Sequence, residues 1–192
     1  MPKPKEHPQR AHCAAVDVDS TLYSFTLHDI PSSHLWRDDL IHQSIAATDA
    51  ALLLYSVSDP ASLRIAQGLA ELIAEAATTS GRPYAILLAG NKSDLAERRV
   101  EYLDGSRVAA RVVSGVEVRT SFMEVSALGG KVEGLLPRIG ADVLYARGVC
   151  EQKKQFEELA RKEEEGRRRR RSRKRGLWER FSRGFFVRRI VA

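Results

Sequence analysis

The sequence of 192 residues lacks several features that would place it in common protein classes. Its two cysteines, Cys13 and Cys150, are too few and too far apart for a disulfide framework or a CxxC metal site, and they indicate a reducing compartment. The longest apolar run, residues 50–57, is broken by Ser56 and is too short to span a membrane. The polar, proline-rich N-terminus has no apolar stretch resembling a secretory signal. We therefore expect a cytosolic or nuclear protein.

The composition present is typical of one globular domain with a basic extension. Hydrophobic residues make up 43% of the chain and charged residues 29%. Residues 151–192 contain 16 Lys and Arg against 7 Asp and Glu, whereas residues 1–150 contain 15 against 18. The basic character therefore belongs to the tail and says little about the ligand of the domain. We expect a disordered leader over 1–11, a domain over 12–148, and a helical extension with a polybasic, aromatic tail over 149–192.

Hydrophobic patterning predicts strands that alternate with helices. Strands are expected over 12–18 and 22–28, joined as a hairpin, and over 50–57, 84–89 and 121–125. Helices are expected over 34–46, from Pro60 to near Ser80, near 104–114, and from about residue 130 into 151–165. The apolar runs 50–57 and 84–89 are expected to be strands buried on both faces. This order predicts an α/β fold with a mostly parallel sheet, whose ligand binds beyond the carboxyl ends of the strands.

A polar motif, Asn91-Lys92-Ser93-Asp94, follows the predicted strand 84–89. One carboxylate, that of Asp94, can accept hydrogen bonds from both N1–H and the 2-amino group of guanine, a pairing that adenine cannot offer. The stem of Lys92 can lie on one face of the base, and Asn91 can tie neighbouring loops together. The motif therefore predicts a guanine site, with a chance surface loop as the alternative.

A second motif, Ser126-Ala127-Leu128, follows the predicted strand 121–125. A small residue at Ala127 would let a backbone N–H approach the guanine carbonyl oxygen, and Ser126 could orient Asp94. Two such motifs after neighbouring strands make a chance match much less plausible than either motif alone.

These motifs resemble the base-specificity loops of the Ras superfamily of small GTPases, and the resemblance runs from about His12 to Arg147. It implies a three-layer fold like that of P-loop NTPases, guanine nucleotide (GTP or GDP) with Mg²⁺ as ligand, and GTP hydrolysis as the family activity. It also implies that Asp94 reads the base and that Ala127 binds guanine through its backbone. Leu128 stands where the family often has lysine, which removes one stem that would cover the base.

The sequence contains no Gly-x-x-x-x-Gly-Lys-Ser/Thr loop for the nucleotide phosphates. Its first glycine is Gly68, and its one Gly-Lys pair, Gly130-Lys131, lacks the flanking residues. Residues 12–28 resemble the family's second and third strands, so the first strand, P-loop, first helix and first switch would lie before this chain starts. Such a chain would have two open edges inside its sheet, and would be either destabilised or an incomplete copy of a longer gene product. We favour the incomplete copy.

The catalytic-switch pattern of the family, Asp-x-x-Gly-Gln, falls on residues 29–33. Asp29 could reach magnesium through water, or it could be a turn or cap residue. Ser32 replaces the glycine whose N–H meets the γ-phosphate, and Ser33 replaces the glutamine that orients water. Hydrolysis is therefore expected to be weak or absent.

The tail combines a basic run with aromatic residues, a pattern typical of helices that bind an anionic membrane surface or calmodulin. The residues concerned are Arg167, Arg168, Arg169, Arg170, Arg171, Trp178, Phe181 and Phe185. A nuclear import signal, a nucleic-acid patch and a solvated charge run are the alternatives, and nucleic acid is the least favoured partner because an import signal or patch has no use for the aromatics. A basic, aromatic tail without a prenylation box resembles the Rad/Gem/Kir or Rit branches, which implies an effector or a calcium-channel subunit as a further partner.

Two classes of function follow. The first is a Ras-like small GTPase that binds guanine nucleotide and signals from the cytoplasm, peripherally at the inner face of the plasma membrane. The second is a non-enzymatic remnant of such a domain that acts as a membrane- or nucleus-targeted interaction protein.

Overall fold

The computed structural model describes residues 11–30, 38–112 and 117–182. The chain divides into two compact units, Met1–Cys150 and Glu151–Ala192, and each is described by itself. The elements are β1 (Ala11–Val18), β2 (Thr21–His28), α1 (Asp38–Ala47), β3 (Ala50–Ser56), α2 (Pro60–Ser80), β4 (Tyr84–Asn91), α3 (Tyr102–Arg111), β5 (Val118–Glu124) and α4 (Leu135–Ser182). Almost all of the predicted leader, and the start of the helix predicted over 34–46, lie outside the described residues.

The first two strands form the predicted antiparallel hairpin. They pair from Ala11 with His28 to Val18 with Thr21, and the two-residue turn Asp19-Ser20 joins them. Both turn residues have positive φ, at 51° and 64°, which is the geometry that matches the twist of the flanking strands. The side chain of Asp17 accepts a hydrogen bond from the Ser20 N–H at 3.1 Å and fixes the turn.

The parallel sheet has the strand order β3-β4-β5 and is separate from the hairpin sheet. One hydrophobic core lies between one face of the sheet and helices α1, α2 and α3. A second core lies between the other face and the first turns of α4, where Leu135 and Ile139 pack against Leu87 and Ala89. The first unit therefore has the predicted layered α/β arrangement, with parallel strands between two layers of helix.

Helix α2 begins and ends where local sequence signals place it. Asp59 is the N-cap, and its carboxylate accepts a hydrogen bond from the Ala61 N–H at 2.9 Å. Pro60 occupies the first helical position, where its missing N–H costs nothing. Gly81 ends the helix at a φ of 63°, a conformation that glycine adopts without strain.

Three other boundaries differ from the prediction. Helix α3 starts at Tyr102, earlier than predicted, because the Asp104 side chain accepts a hydrogen bond from the Glu101 N–H at 3.1 Å and caps it. Strand β5 is shifted towards the N-terminus relative to 121–125. Helix α4 starts at Leu135, because an antiparallel bridge between Ser126 and Lys131 holds the preceding residues in turns.

The two apolar strands differ in burial. Every residue of β4 from Tyr84 to Gly90 is buried, as predicted. The same prediction was wrong for β3, where Leu54 is 56% exposed and residues 50–52 are only half-buried. Because no described strand pairs with the outer edge of β3, its side chains lack one flank of the cover that β4 receives. No helix within the described ranges is both long and apolar enough to cross a membrane.

Tyr55 of β3 buries a hydroxyl group that has no hydrogen-bond partner among the described residues. The residue is 3% exposed. A Cβ on Gly90 or Gly105 would lie 2.8 Å or 2.3 Å from the hydroxyl oxygen, so both glycines make room for the phenol. Burial, with a smaller effect of the Glu124 carboxylate, raises the pKa of Tyr55 to about 12.

We predict that Tyr55→Phe raises the free energy of unfolding by about 1 kcal/mol, because it removes a buried polar atom without a partner. The raised pKa means that the stability contributed by the neutral phenol is complete below pH 10 and is lost as the pH rises to about 12. Urea unfolding at pH 7, and again between pH 10 and 12, should show a higher midpoint and a weaker alkaline loss in the variant. Tyr84→Phe is the control: it should destabilise the protein, because the Tyr84 hydroxyl hydrogen-bonds Thr48 Oγ1 at 2.8 Å. Destabilisation by Tyr55→Phe would contradict the prediction.

Candidate functional site

The pairing of β4 with β5 brings the two polar motifs together. In this parallel pair Gly90 lies beside Glu124, so the strands end at the same level. Beyond the ends, the Val125 N–H donates to the Gly90 carbonyl at 2.8 Å, and the Ser93 N–H donates to the Val125 carbonyl at 3.1 Å. The loop after β4 and the loop after β5 are therefore hydrogen-bonded neighbours at the carboxyl edge of the sheet.

Asn91 ties these two loops through a single side-chain oxygen. Its Oδ1 accepts hydrogen bonds from the Lys92 N–H at 2.7 Å and from the Ala127 N–H at 3.1 Å. The predicted tying role thus has a clear geometric basis. The Ala127 N–H, which the resemblance assigned to the guanine carbonyl, is donated to Asn91 in this structure.

Asp94 lies against the other motif through Ser126. The Ser126 hydroxyl donates to Asp94 Oδ1 and also accepts a hydrogen bond from the Gly129 N–H at 2.8 Å. Ser126 is completely buried, whereas Asp94 is exposed. The hydrogen bond from Ser126 lowers the pKa of Asp94 below its usual range, with smaller contributions from a backbone N–H and from the charge of Lys131. Asp94 is therefore an ionised, oriented and accessible carboxylate at neutral pH.

The remaining predicted residues border this carboxylate or follow it in the same loops. Lys92 is exposed and has a φ of 65°, an unusual conformation for a residue with a side chain. Leu128 is 93% exposed. The structure therefore brings Asn91, Lys92, Asp94, Ser126, Ala127 and Leu128 to one edge of the sheet.

Three contributing residues were missed in the sequence. Gly129 is needed beside the site, because a Cβ there would lie 2.7 Å from Ser126 Oγ. Arg98 and Glu124 form a bidentate pair with both N–O distances at 2.7 Å, which fastens the loop after β4 to the end of β5. Arg98 lies in a charged loop whose sequence gives no sign of its partner, so only the tertiary register reveals the pair.

Asp29, the weak magnesium candidate, does not join this group. It follows β2 and lines a cavity between β2 and β3, and no hydrogen bond connects it to the base loops within the described residues. The described residues contain no cluster of three or more His, Cys, Asp or Glu able to hold a metal ion. The altered switch positions Ser32 and Ser33 lie outside the described residues.

The predicted tail residues belong to the second unit. Arg167 and Arg168 are exposed on α4, and Arg168 pairs with Glu164 at 2.9 Å. The helix backbone continues through Arg169, Arg170, Arg171, Trp178 and Phe181 to Ser182. Phe185 lies outside the described residues.

We predict that Ser126→Ala raises the pKa of Asp94 towards its ordinary value, because it removes the largest cause of the lowered pKa. It should also lower the free energy of unfolding by about 1–2 kcal/mol, since the Gly129 N–H loses its acceptor. The stability linked to Asp94 is present at neutral pH and is lost as the pH falls through its folded pKa, so the loss should begin at a higher pH in the variant. NMR titration of the Asp94 carboxyl carbon measures the shift. Lys131→Ala is the control and should move this pKa less; an equal or larger shift in the control would contradict the order of causes.

Comparison with known proteins assigns the family. A model of the Ras family matches residues 10–142, which include both base loops and all strands of the first unit. A search of curated proteins found no match. The family match confirms the predicted resemblance and the Ras-like α/β fold, and it implies guanine nucleotide with Mg²⁺ as the family's ligand. The chain belongs to the Ras family and is a protein of the small-GTPase type.

Proposed function

We propose that this chain binds the guanine base of a nucleotide between the loops after β4 and β5, and that it acts in signalling at the inner face of the plasma membrane. The observation that carries the first part is the placement of Asp94. Its exposed carboxylate is held by the buried Ser126 hydroxyl and stands beside the loop that contains Ala127.

The chemistry of these residues fits a guanine base. Asp94 keeps lone pairs free after accepting from Ser126, so it can accept from N1–H and the 2-amino group together. Asn91 Oδ1 is engaged by two backbone N–H groups, and its Nδ2 group has no acceptor among the described residues. That amide is therefore a donor for the 6-oxo group or N7 of the base, in place of the Ala127 N–H. The stem of Lys92 and the side chain of Leu128 offer apolar cover.

The phosphates of the nucleotide have no comparable partners in this sequence. It contains no phosphate-binding Gly-x-x-x-x-Gly-Lys-Ser/Thr loop. Base and ribose together have about 20 non-hydrogen atoms, which at about 0.3 kcal/mol each gives ~6 kcal/mol, or a Kd of tens of micromolar. We therefore expect little preference for GTP over guanosine in these 192 residues, and weak or absent hydrolysis.

The base specificity can be tested by exchanging a single atom at Asp94. Asp94→Asn replaces one carboxylate acceptor by an NH₂ donor, which suits the 2-oxo group of xanthine and opposes the 2-amino group of guanine. We predict at least about a tenfold loss of guanosine affinity with a gain for xanthosine. Calorimetric titration with guanosine, xanthosine and adenosine measures both.

Asp94→Ala is the matched control and should lose guanosine binding without gaining xanthosine. Equal affinity of the unmodified chain for guanosine and adenosine would contradict a base site, whatever the variants do.

The membrane part of the proposal rests on the tail. Residues 166–192 contain 12 basic residues and one acid, and each basic residue near an anionic leaflet contributes about 1 kcal/mol. Helix α4 runs to Ser182, so Trp178 and Phe181 stand at the i, i+3 spacing that places two residues on one face of a helix. A basic helix with aromatic anchors suits an anionic membrane surface, with calmodulin as the competing partner.

We predict that the double variant Trp178→Glu, Phe181→Glu leaves phosphatidylserine-containing vesicles, because it adds two negative charges and removes both aromatic anchors. Co-sedimentation of the full chain with vesicles, with and without phosphatidylserine, measures the effect. The control is Phe156→Glu with Leu159→Glu, at exposed apolar positions of α4 before the basic run, and it should bind as the unmodified chain does. Unchanged sedimentation of the tail variant would exclude the anchor, and binding to calmodulin alone would assign the tail to that partner.

A second candidate is a non-enzymatic interaction protein targeted to the membrane or the nucleus. The sequence favours it at two points, the missing phosphate loop and the serines at positions 32 and 33. It differs from the first candidate in predicting no guanine preference in the titration above, with vesicle binding retained.

A further inference from the structure

The hairpin and the parallel sheet face each other across a cavity of 640 Å³. Residues 23–28 of β2 line one side of it, and residues 50–54 of β3 line the other. Among the described residues, β2 pairs with β1 alone and β3 pairs with β4 alone. Two unpaired strand edges therefore border one cavity. This arrangement is independent of the guanine site.

The backbone of β3 presents hydrogen-bonding groups to the cavity. The Asp49 carbonyl accepts from the Ala85 N–H at 3.1 Å, and the Val57 N–H donates to the Asn91 carbonyl at 3.0 Å, so residues 49 and 57 both face β4. Successive strand residues direct their N–H and C=O groups to alternate sides. Ala50, Leu52 and Leu54 therefore direct theirs away from β4, to the outer edge. One step further along this edge, the Ser56 N–H already uses an outside acceptor, Ser62 Oγ at 2.9 Å.

Apolar side chains cover the cavity on both faces of the missing pairing. Ile41, Ile45 and Ile73 belong to the core on the α1–α2 side. Ile139 of α4, with Phe25 against it, belongs to the core on the opposite side. An occupant that pairs with β3 must therefore be apolar on both faces, as β4 is.

The chain outside the described residues offers no suitable strand. Residues 1–10 contain three prolines, at positions 2, 4 and 8, each of which lacks a donor and is excluded from a central strand. Residues 185–192 carry Arg188 and Arg189 in succession, so one of the two would point to each apolar face.

We propose that this cavity is a docking slot for an extended, apolar segment of another polypeptide, five to seven residues long, which adds as a strand to β3 and also pairs with β2. Strand addition to an open edge derives affinity from main-chain hydrogen bonds and specificity from the pockets for alternate side chains. The five residues of β3 along the cavity span about 16 Å, the length of an ordinary strand. Leu54, 56% exposed on the cavity wall, is the largest apolar side chain of β3 that such a strand would cover.

The test uses the full chain and a synthetic peptide with the sequence of β4, the chain's own example of a strand buried on both faces. The peptide carries residues 84–90, Tyr-Ala-Ile-Leu-Leu-Ala-Gly, between lysine pairs for solubility. Hydrogen exchange by NMR reports each backbone amide. On binding, we expect new protection at Ala50, Leu52 and Leu54 and little change at Ala51 and Leu53, which already face β4.

The same alternation should appear on β2. The two-residue turn closes on the pair Val18 and Thr21, so Ser24 and Thr26 face outward from the hairpin. Protection at these two amides together with those of β3 would establish a bridging strand. Protection of neither edge, or of one strand only, at a peptide concentration of about 1 mM would overturn the proposal.

Two controls separate strand pairing from unspecific apolar binding. The same peptide with N-methyl groups on alternate residues loses the donors along one edge and should bind at least about tenfold more weakly. Leu54→Lys should weaken binding similarly, whereas Ile65→Lys, at a comparably exposed apolar residue of α2 outside the cavity, should not. Equal binding of both peptides would overturn the proposal. A concentration-dependent dimer that already protects these amides without peptide would also overturn it, because the occupant would then be a second copy of this chain.

Discussion

The parallel register of β4 and β5 is the constraint on which the candidate site depends. It sets Gly90 beside Glu124, and the next hydrogen bond, from the Val125 N–H to the Gly90 carbonyl, carries the pairing past the strand ends. Ser126 then lies one residue beyond, at a level where its hydroxyl meets Asp94. A slip of one residue would turn Ser126 to the opposite face and leave Asp94 without its donor.

The character of Asp94 follows from that contact. The main cause of its lowered pKa is a hydrogen bond from a buried neutral hydroxyl, and the charge of Lys131 is a lesser cause. Salt screens an interaction between exposed charges but has little effect on a direct hydrogen bond to a buried group. The carboxylate is therefore held ionised and oriented by packing within the sheet, so its readiness for a base does not depend on a flexible cation nearby.

Local signals were sufficient to predict part of this fold. The Asp59-Pro60 start of α2 and the Asp19-Ser20 hairpin turn each depend on residues adjacent in sequence, and the apolar run of β4 alone indicated burial on both faces. The base motifs were recognisable because strand ends concentrate polar residues. Features set by distant partners were not predictable: the pairing of Arg98 with Glu124, the late start of α4, and the exposed edge of β3 all depend on which segment lies alongside.

The gap between the hairpin and the sheet is maintained by packing that does not involve the gap itself. The hairpin lies close against α4, where a Cβ at Gly140 would be 2.7 Å from a methyl group of Val18 and 2.9 Å from the ring of Phe25. Strand β3 is fixed by its ladder with β4 and by the core beneath α2. Closing the gap would require one of these contacts to break, at the cost of buried apolar area at about 25 cal/mol per Å². An added strand would instead satisfy both edges and cover Leu54 while every existing contact stays in place.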